Sequence, residues 1–319
     1  MRQAFLTGLV SMLLAAVLPA ALLEPVDRSE HVRVIIEQTN EQTEKTLFLD
    51  TGAAVEEILL EEYLIGVVLS EMPASFPMEA FKAQAVAART FALRQIEGGK
   101  HEQWDLCADS SCCQAWSSRE ELEEKFGTQF EQVWGMAAQA VRQTLGQVMT
   151  YDGKLIDAVY FSCAGGRTED AVAVWGSEVP YLQSVWSQEK DAGQAYESQV
   201  VMTRKEFCTK MAEIEPTLVL TGDAGQWFGQ TTRTRGAGVS TMEIGGCLFS
   251  GTQLRSALGL RSTCFTVIVE EGNIVFQVRG YGHRVGMSQY GAAAMALSGM
   301  DYQQILSHYY TGIELAIQK

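Results

Sequence analysis

The sequence predicts an α+β fold: mixed helices and antiparallel strands forming one catalytic unit with a groove, behind an N-terminal transmembrane helix. Three observations carry this. Strand-like and helix-like segments are segregated rather than regularly alternating, which disfavours a doubly wound sheet. An alanine-rich stretch after Pro77 places Phe81, Ala85, Ala88 and Ala92 on one helical face and ends at Gly98-Gly99. Asp152-Gly153, between two strand-like runs, is a hairpin signal.

The elements follow in order. Residues 4–23 form an uncharged run of 20 with Arg2 on its short side and Glu24 as the first acid. Twenty apolar residues span about 30 Å, the thickness of a bilayer core. With Arg2 inside, an uncleaved anchor sends the bulk of the chain outward, and a cleaved signal peptide is the alternative. This divides the chain into 1–28, cytoplasmic end and anchor, and 29–319, an extracytoplasmic domain. Strands are expected at 32–38 and 46–50. An acidic amphipathic element, read as helical, is expected over 55–70. Helices are expected over 77–96 and, capped by Ser118, over 119–144. The hairpin pairs 147–151 with 154–162. Thr203 and Glu206 form a capping box for a helix near 204–213. Strands at 227–234, 238–244, 264–270 and 274–280, and helices near 251–259, 287–297 and 301–310, complete the chain.

The 319 residues carry 24 Lys+Arg against 39 Asp+Glu, a net charge of −15, without the basic face that nucleic-acid binding needs. Hydrophobic residues make up 47%, which excludes wholesale disorder.

Three features bear on chemistry. Glu71 ends an apolar stretch just before Met72-Pro73. A carboxyl there can be partly desolvated, which raises its pKa toward the range of a general acid, and a solvated helix-end glutamate is the plainer reading. The loop from Gly280 to Gly291 is glycine-rich, follows a strand and opens a helix, so its amides could meet an oxyanion or sugar hydroxyls; a tight turn is the competing reading. Its G-x-G-x-x-x-G spacing is not a dinucleotide fingerprint. His101, Cys107, Cys112 and Cys113 lie within 13 residues and can supply four ligands to a tetrahedral zinc. A disulfide from Cys107 to Cys112 or Cys113 competes with that reading outside the cytoplasm. Cys163 lacks a base placed by sequence and reads as a buried, inert thiol.

Four segments resemble the stage II sporulation protein D family, which is related to amidase-enhancer proteins. They are residues 71–90, opening Glu71-Met72-Pro73; Phe161-Ser162-Cys163-Ala164-Gly165-Gly166-Arg167-Thr168; Leu258-Gly259-Leu260-Arg261-Ser262-Thr263; and residues 282–291. They occur in order, spanning about 55–315. The resemblance implies a peptidoglycan lytic transglycosylase that cleaves the MurNAc–GlcNAc β-1,4 bond and leaves 1,6-anhydro-MurNAc ends during engulfment. It makes Glu71 the catalytic acid and Arg89, in the same motif, a second catalytic-site residue that orients the site or binds a lactyl or acetamido group, with Gln84, Ser162, His283, Ser288 and Gln289 as candidates for the groove. It favours a structural zinc on His101, Cys107, Cys112 and Cys113, although family members that carry zinc have His-Cys at 112–113, which leaves the role of Cys112 open. Arg284 stands where the family usually has glycine. The implied partners are peptidoglycan glycan strands, a cell-wall amidase and a membrane protein of the engulfment machinery, in the space between mother cell and forespore. A muramidase using water and a second carboxylate, Glu79 or Asp157, and a non-catalytic glycan-binding activator of an amidase are the alternatives.

Overall fold

A computed structural model describes residues 45–189 and 195–318. The expected anchor and the strand at 32–38 lie outside these residues. Among the described residues no helix is long and apolar enough to cross a membrane.

Strand β1 (Thr46–Asp50) turns Leu47 and Leu49 inward, and β2 (Val55–Leu59) pairs with it antiparallel. The expected helix over 55–70 therefore begins five residues late. Gly52, at φ +82°, makes the turn, and the edge strand leaves Glu56 and Glu57 in solvent. Helix α1 (Leu60–Glu71) is buried along most of its length and stops at Met72, before Pro73. Helix α2 (Met78–Gly98) has Pro77 at its N-cap and left-handed Gly99 at its C-cap. Its alanines 83, 85, 87, 88 and 92 are fully buried, and these short side chains let neighbouring helices approach closely.

Strand β3 (Leu106–Cys107) joins β1 in parallel. Ser118 caps α3 (Arg119–Phe126) as expected, and Glu121 completes a capping box that the sequence reading did not name. The single helix expected over 119–144 is instead two. Gly127, at φ +52°, ends the first, a short 3-10 turn follows, and α4 (Phe130–Gln143) resumes. Strands β4 (Gln147–Tyr151) and β5 (Lys154–Leu155) meet through Asp152-Gly153, both at positive φ. The expected strand 154–162 splits here. Strand β6 (Tyr160–Phe161) leaves the hairpin for a different partner, and the short α5 (Ala171–Trp175) follows.

Residues 197–279 add a second hydrophobic core. It contains β7 (Glu197–Thr203), α6 (Arg204–Ile214), β8 (Phe228–Arg233), β9 (Val239–Ile244), β10 (Cys247–Ser250), α7 (Gly251–Leu258), β11 (Phe265–Glu270) and β12 (Asn273–Arg279). The strands form two antiparallel three-stranded sheets, ordered β10-β9-β8 and β11-β12-β7. The chain then returns to the first core. Strand β13 (Met287–Ser288) pairs in parallel with β6, and α8 (Gln289–Leu297), α9 (Tyr302–Tyr309) and β14 (Glu314–Ile317), which pairs with β4, complete the described chain. The α+β expectation holds in its mixed helices and antiparallel strands, with two short parallel pairings added.

The two largest fully buried side chains are arginines, and both hold structure together. Arg89 grips Glu61 with Nε (3.0 Å) and Nη2 (2.5 Å) and donates to the carbonyls of Thr144 (2.8 Å), Gln147 (3.3 Å) and Val141 (3.2 Å). It thus caps the C-terminal end of α4. Arg284 meets Glu169 at 3.0 Å and donates to the carbonyls of Ala164 (2.8 Å), Arg167 (2.7 Å) and Gly236 (2.6 Å). It does so at φ +67°, a conformation that costs a non-glycine residue energy and that these bonds offset.

Candidate active site

Glu71 is the last residue of α1 and is partly buried. Its Oε1 accepts from the Ala115 amide at 3.3 Å, and its Oε2 accepts from Gln289 Nε2 at 3.0 Å. Tyr160 is a further hydrogen-bond partner. Burial pushes the Glu71 pKa up, and the bonds from Gln289, Ala115 and Tyr160 pull against that shift without cancelling it. The solvated reading of Glu71 does not survive this geometry.

The surroundings are built in layers. Tyr63 donates to Gln114 Oε1 at 3.0 Å, and Gln114 Nε2 donates to the Tyr160 hydroxyl at 2.7 Å. That hydroxyl has accepted one bond and keeps its own proton to donate to Glu71. Burial holds Tyr160 well above the usual phenol range, so it stays protonated. Gly66 on α1 makes room for this loop. A Cβ there would come within 2.8 Å of the Ser117 carbonyl and would strike the Trp116 ring. Without that glycine the segment carrying Gln114 and Ala115 could not lie against α1.

His283 stands behind Tyr160. Its Nδ1 accepts from the Val285 amide at 3.1 Å, which leaves the ring proton on Nε2 to donate to the Tyr160 carbonyl at 3.1 Å. Burial, with Arg255 beside it, pushes its pKa down to about 4, so it is neutral at pH 7 and holds the Tyr160 backbone rather than carrying charge.

The remaining sequence candidates divide. Gln289 reaches Glu71. Ser288 is fully buried; it caps α8 by accepting from the Gly291 amide (3.2 Å) and donates to the Ser162 carbonyl (3.3 Å). That carbonyl also accepts from the Tyr290 amide (3.0 Å), so Ser162 and Ser288 brace the site from behind. Gln84 has no solvent-facing surface, and neither end of its amide has a hydrogen-bond partner among the described residues. Arg89 does not share the site. Its anchor, Glu61, lies ten residues before Glu71, about 15 Å along α1. The motif that joins Arg89 to Glu71 in sequence therefore separates them in space. Much of the glycine loop is likewise engaged by the protein itself. The amides of Gly280, Tyr281, Gly282, Val285, Met287 and Tyr290 all donate to protein acceptors. Gly286, at φ +78°, is needed because a Cβ would run into the Val159 carbonyl. The loop is a strut that delivers His283 and Gln289.

The cysteine segment closes on itself beside this site. One ligand atom from each of His101, Cys107, Cys112 and Cys113 lies within 4.8 Å of the others, with His101 Nε2 at 3.3 Å from Cys113 Sγ and 3.9 Å from Cys112 Sγ. Zinc bonded to sulfur and nitrogen at about 2.0–2.3 Å has ligand atoms at similar spacings, so the donor set and geometry fit a metal ion. A tight turn solves the problem of adjacent ligands. The amides of Cys112 and Cys113 both donate to the Asp109 carbonyl, and the Asp109 carboxylate accepts from Ser111. Cys112 Sγ thereby joins the cluster. Burial, with Cys107 beside it, pushes the Cys113 thiol up to about 12. All seven cysteines are free thiols in this structure. Gln114 and Ala115 immediately follow Cys113, so the cluster anchors the loop that touches Glu71.

Sequence reasoning missed Tyr160, Gln114, Ala115 and Tyr63. Only Gln114 and Ala115 had a signal, their position after the cysteine pair.

The site is a partly buried carboxyl ringed by donors, with no second carboxylate among its partners in the described residues. The comparisons give it a lineage. The model of the family described as Stage II sporulation protein matches residues 50–151. The Stage II sporulation protein D of Bacillus amyloliquefaciens is 39% identical over 274 residues, covering 85% of this chain and 78% of that protein. Its counterpart from Bacillus subtilis (strain 168) is 37% identical over the same shares. The amidase enhancer of Bacillus subtilis (strain 168) is 30% identical over 79% of this chain and 40% of its own length. The chain belongs to the stage II sporulation protein D family.

Proposed function

We propose that this protein is a peptidoglycan lytic transglycosylase, with Glu71 as its single acid and base. The protonated Glu71 carboxyl gives its proton to the glycosidic oxygen between MurNAc and GlcNAc. The C1–O bond breaks and positive charge develops on the MurNAc ring. The carboxylate then takes the proton of the C6 hydroxyl of the same MurNAc, whose oxygen bonds to C1. The product is a 1,6-anhydro end, Glu71 is protonated again, and no water is consumed. The observation that carries this reading is the raised pKa of a carboxyl whose described partners are all donors. A hydrolase of the same bond normally needs two carboxylates. Glu79 is paired with Lys82 at 2.6 Å and accepts from the Tyr302 amide, and Asp157 faces Arg94 at 4.0 Å. Neither is among the partners of Glu71.

His101, Cys107, Cys112 and Cys113 would hold a structural zinc, which supplies fixed geometry when bound, since four protein ligands leave no position open for water. The residues that act on Glu71 are this chain's own: Ala115 and Gln289 hold the carboxylate, and Tyr160, set by Gln114 and His283, shares it. Residues 1–28 would anchor the chain in the membrane, with 29–319 outside the cytoplasm, working during engulfment alongside a cell-wall amidase and a membrane protein. A second reading, a non-catalytic glycan-binding activator of an amidase, draws on the similarity to the amidase enhancer. Mass spectrometry of glycan strands treated with the purified protein separates them. Sugar ends one water lighter than reducing ends, absent with Glu71→Gln, are the expected result. Binding without sugar release favours the second reading.

A further inference from the structure

The −15 net charge gives no attraction for an anionic polymer, so a glycan must be held by hydrogen bonds and stacking. A pyranose ring has an apolar C–H face and a polar rim, and it suits an aromatic ring that is half in solvent. The exposed aromatics can be compared on that basis. Trp186 is 69% exposed, but the Arg167 guanidinium lies over its ring at 4.8 Å. Tyr281 is 46% exposed, with Arg261 over its ring at 5.0 Å. Phe48, on β1, is 53% exposed, and no ring contact joins it to the groups around Glu71 among the described residues. Trp175 is 46% exposed, and no cation covers it among the described residues.

Its surroundings point toward the acid. Phe161, His283 and Trp175 form a column, with ring centroids 5.5 Å and 5.4 Å apart, that runs from the core to solvent. His283 is fixed at both nitrogens and bonds to the backbone of Tyr160, whose hydroxyl shares Glu71. The path from the indole to the reacting carboxyl runs through the His283 ring to the Tyr160 carbonyl and then along the length of Tyr160 to its hydroxyl. Trp175 is the last residue of α5, and left-handed Gly176 ends the helix there, leaving the ring at the rim. Val172, one turn earlier and 45% exposed, extends the apolar face.

We propose that Trp175, backed by His283, is a stacking platform for a sugar ring of the glycan strand, at a position along the strand from the bond that Glu71 cleaves. This rests on the functional reading above in its choice of ligand. The platform holds the strand by one face of one ring, and its contribution is affinity.

The test uses the full-length chain with Glu71→Gln, which binds without turnover, and glycan strands freed of peptide. Trp175→Ala is expected to weaken co-sedimentation with the strands about tenfold, while Trp175→Phe retains most of the affinity. Unchanged affinity in both variants overturns the proposal. A second measurement does not depend on how Trp175→Ala folds. The six tryptophans are labelled with 5-fluorotryptophan, and the resonance missing in Trp175→Phe is that of Trp175. It is expected to shift more than the others when strands are added, and a resonance that stays put overturns the proposal. Failure of the functional reading looks different: the Trp175 resonance moves, yet the unmutated chain releases no anhydro ends.

Discussion

Two glutamates of this protein receive opposite treatment. Glu189 is sealed in. One of its oxygens accepts from the Cys163 thiol (2.7 Å) and from the amides of Ala164 (2.7 Å) and Gly165 (3.2 Å), and the other accepts from the Ser187 hydroxyl, itself bonded to Tyr309 at 2.6 Å. Three of these donors come from the single stretch Cys163-Ala164-Gly165, so the carboxylate ties that turn to the segment carrying Ser187 and Glu189. Burial and the neighbouring Glu189 carboxylate push the Cys163 thiol far up, so it stays a hydrogen-bond donor and is no nucleophile. Glu71 has fewer donors, at longer distances, and keeps part of its surface open. Its desolvation is left incompletely offset, and the excess appears as a raised pKa. Glu189 is spent on joining segments of the fold, whereas Glu71 keeps a raised pKa beside an open surface.

The sharpest way to break this contrast is to neutralise each in turn. Glu71→Gln is expected to lower the rate of anhydro-end release by about a thousandfold. The same variant is expected to melt higher than the parent near pH 7. A carboxyl with a raised folded pKa binds its proton more tightly when folded, so the parent loses stability as pH rises above the ordinary value of 4.5, and glutamine does not. Glu189→Ala is expected to do the reverse. Unfolding free energy by denaturant titration falls by about 3 kcal/mol, because several buried donors lose their acceptor, while the folded fraction keeps its activity. Equal loss of activity in both variants would end the distinction.

Chelation, or Cys113→Ser, is expected to cost about 10- to 100-fold in activity through the displaced Gln114 and Ala115. Metal analysis of the purified chain and the protease sensitivity of residues 101–116 check the cause. The smallest effect sharpens the comparison further. Gln289 pulls the Glu71 pKa down, so Gln289→Ala removes a restraint and raises it further. Activity requires the protonated acid and falls as pH rises through that pKa. The alkaline limb of the pH–rate profile of Gln289→Ala is therefore expected to move to higher pH.

Local features of this fold were legible in the sequence. Helix α2 announced itself through Pro77, its alanine face and Gly98-Gly99, and the Ser118 cap and the Thr203 capping box marked their helices because each signal is complete within four residues. The His/Cys cluster was legible for the same reason, as all four side chains fall within one short segment. Strands β7 and β14 were not. The exposed positions of β7 interrupt its apolar pattern, and β14 has only four residues, so both owe their form to the strands beside them. Gly127 did carry a helix-stop signal, and the amphipathic pattern continuing beyond it outweighed that signal. In the site, Glu71 was singled out by the family motif it opens, since its place between an apolar run and a proline alone favoured a solvated helix-end glutamate. Its partners were not, because Ala115 lies 44 residues away and Gln289 lies 218 away, and no periodicity connects them. Arg89 shows the converse, since a shared motif recorded common ancestry of a segment rather than proximity within it.

The span of 218 residues between Glu71 and Gln289 has a temporal consequence. A ribosome releases the acid early and the amide that steadies it near the end, after the whole second core has emerged. Until β13 docks beside β6, the half-made polypeptide holds its proton donor in an unfinished setting. Glu71 thus lacks its steadying amide throughout synthesis, and the last tenth of the sequence supplies it.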